Sequence, residues 1–452
     1  MLSTENEIIV ALATPAGEGA ISVIRVSGSG SINVLDKVFK GKSRLKDVPT
    51  HTIHYGRIVS EIGEVIDDVL ISVFVSPNSY TGEDSVEIST HSSEIIVKKI
   101  MELLVNNNVR FAEPGEFTKR AFLNGKIDLV QAEAVADLIN ARTEASLRGA
   151  RNQLDGILSK KVEELRSSLL SVSSLLELEL DFAEENLKFL SSSEVIDKVD
   201  IIIHEIDLLL ETYSFGRVIR DGVNVALVGK PNVGKSSLLN YILKESRSIV
   251  SETPGTTRDI IREEVSIDGL LFRLFDTAGI RLTKDPIEIE GVERSREAVK
   301  KADVVVFIND VLDGYSDELF NELINLTDKK RIITVMNKID LNREDSFKSD
   351  VKISALYGEG FEDFFKLLKT KSIGSNSYTE KNAMVSNVRH YNALKKAKLS
   401  LEDAKQTQCN KMSGEFVAVD LRLAEEHLGE IIGKVTTDDI LNNIFSNFCI
   451  GK

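Results

Sequence analysis

The stretch NVALVGKPNVGKSSLLN, residues 224–240, constrains the fold more than any other. An apolar run, Val225 to Val228, leads straight into Gly229, and a segment of helical spacing follows Lys235. Beyond it, strands alternate with helices until about residue 375, as an α/β domain requires. The loop is suited to anions. Its glycines let backbone N–H groups wrap a β-phosphate, Lys235 reaches β and γ oxygens, and the Ser236 hydroxyl can ligate Mg2+. Asn232, Val233, Gly234, Lys235, Ser236 and Ser237 are the expected phosphate-contacting residues.

Companion motifs follow in the order that a guanine-nucleotide switch requires. SETPGTTRD offers Ser251, Glu252, Thr253, Pro254, Gly255, Thr256 and Thr257 in a loop that can order on Mg2+ and a γ-phosphate. LFRLFDTAG ends a strand on Asp276, Thr277, Ala278 and Gly279, with the carboxylate placed for Mg2+ through water. IITVMNKID closes another strand with Asn337, Lys338 and Asp340, and KISALYGEG supplies Ser354 and Ala355. A carboxylate at Asp340 accepts from guanine N1–H and the exocyclic amine, donors that adenine lacks there, so the set selects GTP over ATP.

Many small GTPases follow D-x-x-G with a glutamine that orients the attacking water; here the next residue is Ile280. Two substitutes are visible. Glu288 or Glu290 in the following segment could polarise water, although spacing alone favours a solvated acidic loop. Asn232 could offer its amide oxygen to a monovalent cation sitting where an arginine finger would otherwise point.

The rest of the chain brackets this domain. Residues 1–120 mix strands (AISVIRVSG, DDVLISVFVSP) with a helix (SEIIVKKIMELLVNN), as an α+β domain does. VQAEAVADLINARTEASLRGARNQ reads as one helix with Val130, Ala134, Leu138, Ala141 and Ala145 on a face. Leu158, Val162, Leu165, Leu169, Val172 and Leu176 form the seam of a long helix packed on others. Helix is expected to stop near YSFGRVIRDG and to resume from about 385, with Thr436 and Asp439 capping the last one. The expected fold is therefore multidomain α/β and α: an N-terminal α+β domain (1–120), a helical domain in two halves (121–215 and 377–452), and an inserted P-loop GTPase domain of Ras-like α/β type (216–376).

Charge and cysteine content narrow the functional classes. With 56 Lys and Arg against 71 Asp and Glu, the formal charge is −15, so any nucleic-acid contact must be local or delegated to a partner. Cys409 and Cys449 are too few for a disulfide framework. Glu5 and Glu7 stand where a secretory signal needs cations, and no apolar run approaches membrane-spanning length, so a cytoplasmic, untethered protein is expected.

Together with SPNSYTGEDSVE, EPGEFTKRAFLNGKIDLVQAEAVADLI and the terminal FCIGK, these motifs make the chain similar over essentially its full length to the tRNA modification GTPases of the MnmE (TrmE) family. The resemblance implies a homodimer whose N-terminal domain dimerises and binds a tetrahydrofolate, 5,10-methylene- or 5-formyl-tetrahydrofolate. It implies the FAD protein MnmG as partner, in a heterotetramer that installs an aminomethyl-type (carboxymethylaminomethyl) group at C5 of the wobble uridine of certain tRNAs. It also implies potassium-dependent hydrolysis, with Asn232, Ser251, Thr253 and Thr256 as K+ ligands, Ser236 and Thr257 on Mg2+, and Glu288 activating water. Arg25, Glu87, Lys126 and Lys452 match the folate positions. Read without the resemblance, Arg25 is an exposed strand residue and Glu87 a cross-strand charge partner.

Three readings compete for Cys449. A C-a-a-X box is a poor fit, since Gly451 is not aliphatic and Lys452 is not a usual terminal residue. A buried thiol would pack beside Phe445 and Phe448. The resemblance favours a catalytic thiol carried into the folate pocket. A rival of another class is a GTP-driven switch or scaffold in ribosome assembly without modification chemistry.

Overall fold

The computed structural model describes residues 7–181, 191–245, 247–248, 262–276, 295–341, 349–373, 383–410, 412–446 and 448–451. They form two compact units, Met1–Ala136 with Gly429–Lys452, and Asp137–Leu428.

The first unit is built on a seven-stranded sheet of β1 (Ile9–Leu12), β2 (Ile21–Ser27), β3 (Phe39–Gly41), β4 (Thr52–Val59), β5 (Val65–Phe74), β6 (Ser85–His91) and β7 (Arg110–Phe111), in the order β3-β4-β5-β6-β2-β1-β7. All pairings are antiparallel except β1 with β7. Alternation sets the faces. On β5, Val69, Ile71 and Val73 are buried while Asp68 and Leu70 are exposed. The buried face packs on helices Ser31–Val38 and Glu94–Asn106 through Leu35, Val38, Ile100 and Leu104. The terminal helix Asp438–Ser446 belongs to this unit, with Leu441, Phe445 and Phe448 packed on Leu129 and Ala132. Its cap is Thr437 rather than Thr436: the Ile440 amide donates to the Thr437 hydroxyl at 3.4 Å.

The second unit joins helices to a second sheet. Helices Ile157–Asp181, Ser192–Glu211, Val388–Cys409 and Gly414–Ile432 supply the helical part. The six seam residues from Leu158 to Leu176 are all buried, so losing any one leucine to alanine costs about 2–5 kcal/mol. The expected single helix over 130–153 is two, Leu129–Asn140 and Glu144–Leu154. Thr143 interrupts it, accepting from the Ser146 amide in a reciprocal capping box, and a polar N-cap competes with helix continuation. YSFGRVIRDG does not stop the helix at its start, since residues Tyr213–Asp221 are themselves helical.

The second sheet comprises β8 (Val223–Gly229), β9 (Arg247–Ser248), β10 (Arg262–Ile267), β11 (Leu270–Asp276), β12 (Val304–Asp310), β13 (Ile332–Asn337) and β14 (Val351–Lys352). Its order is β14-β13-β12-β8-β11-β10-β9, parallel from β14 to β11 with an antiparallel β11-β10-β9 edge. Every residue of β12 and β13 is buried, as expected when helices cover both faces. The chain leaves and rejoins the helices at one place. The Val385 amide donates to the Thr212 hydroxyl at 2.9 Å, and Gln153 Nε2 donates to Ser386 Oγ at 2.7 Å. Among the described residues, no helix is long and apolar enough to cross a membrane.

Candidate functional site

The loops that carry chemistry in the second unit sit at the carboxyl ends of adjacent parallel strands, where an open α/β sheet presents its crevice. Central β8 ends at Gly229, and the loop then feeds the helix Lys235–Glu245. Val233 is buried in the core and anchors the loop from beneath. Asn232 has φ 64°, a left-handed conformation that persists only where the surroundings enforce it. Gly234, at φ 99°, is required twice over, because an added Cβ would lie 2.2 Å from Asn337 Nδ2. Lys235 Nζ folds back over the loop, donating to Gly229 O at 2.9 Å and Lys230 O at 3.0 Å. Ser236 and Ser237 are exposed in the first helical turn. A hydroxyl open to the mouth of the loop fits a Mg2+ ligand.

Asn337 ties two loops together. Its Nδ2 donates to Val233 O at 2.9 Å, and its Oδ1 accepts from the Ala355 amide at 3.0 Å. Both Asn337 and Ser354 are buried. Ser354 Oγ donates to Asp340 Oδ1 at 2.6 Å and so orients the carboxylate expected to read guanine. Lys338, at φ 62°, reaches Asp310 Oδ2 at 2.5 Å.

Asp310 is a residue that motif reading missed. It closes β12, is 2% exposed, and also accepts from the Leu312 and Asp313 amides. Burial alone would raise its pKa, but the Lys338 hydrogen bond and charge with the two amides hold it below the usual carboxylate range. The available signal was an apolar strand, VVVFI, ending abruptly in Asn309 and Asp310.

Asp276 closes β11, paired in register with Leu227 of β8, so its backbone stands beside the phosphate loop. Ser251, Glu252, Thr253, Pro254, Gly255, Thr256, Thr257, Thr277, Ala278, Gly279, Glu288, Glu290 and Lys452 lie outside the described residues.

In the first unit, Arg25 and Glu87 face each other across the β2–β6 ladder and form an ion pair at 2.8 Å. Arg25 is 19% and Glu87 29% exposed by side chain, so the arginine is set into the surface rather than free of it. Two rings flank its guanidinium, Tyr80 at 5.5 Å and Phe117 at 5.7 Å, within cation–π range. Tyr80 shares a 2.9 Å hydrogen bond with Thr118, and burial pushes its phenol up, keeping it neutral. Neither ring was singled out from sequence. Lys126 Nζ donates to Pro77 O at 3.0 Å, in the loop between β5 and β6. A carboxylate, a guanidinium and two aromatic flanks form a donor set that fits a flat heteroaromatic ligand.

Beneath lies a salt-bridge network from EPGEFTKR. Arg120 pairs with Glu83 at 3.1 Å and Glu116 at 3.0 Å, and Glu116 also pairs with Arg110 at 2.7 Å. Removing one member of so buried a set leaves an uncompensated charge, at about 3–5 kcal/mol.

The tail reaches the end of β1. Gly451 is buried at φ 95°, and a Cβ there would meet Leu12 O at 2.4 Å. Phe448 is buried against Phe445, with ring centroids 5.4 Å apart, while Cys449 between these anchors is exposed. The buried-thiol reading of Cys449 is therefore overturned. A close-packed aromatic before it and a backbone contact after it leave its own side chain facing out.

Comparison with known proteins identifies the family. A family model described as the GTP-binding protein TrmE N-terminus matches residues 8–126, and one described as the MnmE helical domain matches residues 129–449. The protein named tRNA modification GTPase MnmE from Aquifex aeolicus is 46% identical over 453 residues, covering 99% of this chain and 100% of its own. That of Carboxydothermus hydrogenoformans is 42% identical over 460 residues, with 99% and 100% covered. That of Christiangramia forsetii is 44% identical over 474 residues, with 99% of each covered. Among solved structures, Era from Aquifex aeolicus bound to GDP.AlF4- is 28% identical, covering 39% of this chain and 65% of that one, at a TM-score of 0.27. On full-length similarity and both domain matches, the chain belongs to the MnmE family of tRNA modification GTPases.

Proposed function

We propose that this protein hydrolyses GTP and uses the cycle to drive modification of tRNA. The observation that carries the reading is Asn337 bridging the phosphate loop to the 354–355 loop, with Ser354 orienting Asp340. Phosphate and base recognition are thereby joined before any nucleotide arrives, which lowers the ordering cost of binding. Ser236 and Thr257 hold Mg2+, which neutralises phosphate charge when bound. Asn232, Ser251, Thr253 and Thr256 hold K+ in the place of an arginine finger, and Glu288 positions water in the place of the missing glutamine. The left-handed backbone of Asn232, exposed at the loop rim, is consistent with an outward-facing amide.

In the first unit Arg25, Glu87, Lys126 and Lys452 bind 5,10-methylene- or 5-formyl-tetrahydrofolate, with Cys449 exposed at the tail as the candidate thiol. The homodimer acts with MnmG on the wobble uridine of tRNA in the cytoplasm. Two measurements test this. GTP hydrolysis is expected to slow at least tenfold when K+ is replaced by Na+; equal rates would remove the ion from the scheme. Nucleoside analysis of tRNA from cells lacking the protein is expected to show unmodified wobble uridines. Unchanged nucleosides would favour the ribosome-assembly switch instead.

A further inference from the structure

The first sheet ends at β3, and around that edge residues 37–46, KVFKGKSRLK, hold five cations and no acid in a chain of formal charge −15. Lys37, Lys40, Lys42, Arg44 and Lys46 are all exposed, and among the described residues none has an ion-pair partner. The strip is firmly held from beneath. Phe39 is buried with its ring over Gly41 and Gly56, where a Cβ would come within 2.4 Å of it. Asp36 accepts from the Leu45 amide at 2.6 Å, and Leu45 is itself buried. Of the two carboxylates that border the strip, Asp36 is thus occupied with backbone and Asp47 is exposed beside Lys46 at its end, and the cations project from a fixed frame.

Across the β3–β4 ladder Lys40 faces Arg57, another cation. Like charges directly opposite are destabilising, so this pairing does not serve the sheet. The carboxylate partner of Arg57 is Asp68, on the far side in β5, at 3.0 Å. Two residues before Arg57, on the same face, Tyr55 is 67% exposed and its hydroxyl donates to Asp68 at 3.1 Å. A fixed cationic strip with an exposed aromatic beside it is the pairing that unpaired RNA calls for, phosphates on the cations and a base on the ring.

We propose that this sheet edge is an RNA-contacting surface, where Lys40, Lys42, Arg44 and Lys46 hold tRNA phosphates and Tyr55 stacks on an unpaired base. The assignment rests on the tRNA reading above. The net charge of −15 repels a polyanion on average, so contact is favoured at a local reversal of charge such as this strip.

The test is anisotropy of a labelled, unmodified tRNA transcript titrated with the full chain across a range of KCl. Combining Lys40→Ala, Lys42→Ala, Arg44→Ala and Lys46→Ala is expected to weaken binding at least ~30-fold at low salt. It should also shrink the slope of log K against log salt by about 3, at roughly 0.7–0.9 per lost contact. GTP hydrolysis and melting temperature stay unchanged. Tyr55→Leu is expected to weaken binding about fivefold with the slope unaltered, the mark of lost stacking. Should the combined variant fold poorly, Lys42→Ala with Lys46→Ala carries the same test at about half the slope change.

If the wild type binds and the variant matches it in affinity and slope, the strip is idle and the tRNA reading stands. If the wild type hydrolyses GTP yet does not bind tRNA, the strip is no RNA surface and recognition belongs to a partner. Tighter binding to phosphatidylserine vesicles than to tRNA would overturn the proposal in favour of a lipid surface.

Discussion

The two candidate sites satisfy their polar groups in opposite ways. At the loops of the second sheet, the phosphate-loop side is held by backbone, Lys235 by Gly229 O and Asn337 by Val233 O and the Ala355 amide, while Asp340 is held by the Ser354 hydroxyl and Lys338 by Asp310. In the first unit, charge is held by charge. Arg25 pairs with Glu87 over an Arg110–Glu116–Arg120–Glu83 network. Backbone-held groups keep their charge free for a ligand, whereas a ligand at Arg25 must compete with Glu87. The first arrangement suits tight, fast phosphate capture; the second suits a ligand that brings complementary charge of its own.

That contrast predicts its largest effect at Lys235. Lys235→Ala removes the cation that folds back over the phosphate loop onto Gly229 O and Lys230 O, and GTP hydrolysis is expected to fall by about 10²–10³-fold, the usual cost of one transition-state donor. Titration of a reduced folate should be unaffected. A parallel loss in both assays would show that the units are not chemically separate.

Next in size is Arg25→Ala, which leaves Glu87 without its cation between two rings. Reduced-folate binding is expected to weaken about 10- to 100-fold by calorimetry, or about 1.4–2.8 kcal/mol. Glu87→Gln should cost less, because it frees Arg25 for an anionic group. If both variants bind as wild type does, the ion pair is structural and the blander reading of Glu87 is the right one.

The same difference explains how much could be read in advance. Motifs of the second unit are local: strand, loop and first helical turn lie within 17 residues, so spacing alone placed Asn232 to Ser237 in the loop and first helical turn after a strand, and Asn337 to Asp340 at the end of another. The seam from Leu158 to Leu176 was legible for the same reason, since helical period is a local property. Arg25 and Glu87 are 62 residues apart and meet only through β2–β6 register, which no window of sequence encodes. Tyr80, Phe117 and Asp310 were missed because their roles depend on tertiary neighbours. The break at Thr143 was missed because an alanine-rich helical period on both sides masked a polar cap.

Asp310, held by Lys338 and two amides, gives a smaller, pH-dependent effect in the second unit. Its carboxyl titrates below the usual range once folded, so its stabilisation is fully present above the unfolded value near ~4 and is lost as pH falls through the lowered value. Asp310→Asn is expected to lower stability at pH 7 by about 1–3 kcal/mol, the range for hydrogen bonds to a charged group. Its stability difference from wild type should shrink toward pH 2. A difference constant with pH would mean that Asp310 acts by shape and not by its pairing with Lys338.

The smallest effect is expected at Thr437, whose hydroxyl caps the helix that carries Phe445, Phe448 and the tail. Thr437→Ala should cost about 0.5–1 kcal/mol, because one amide of the first turn loses its acceptor. Its hydroxyl bonds the Ile440 amide of its own helix, so a purely local site around Arg25 and Glu87 would not feel the change. A site assembled from distant segments would, since Gly451 meets Leu12, and Leu12 pairs with Ile24 beside Arg25. Reduced-folate affinity is therefore expected to fall about two- to fivefold in Thr437→Ala, with the GTPase rate unchanged. Unaltered affinity in a variant with a measurably lower melting temperature would confine the folate site to the sheet and leave the tail outside it.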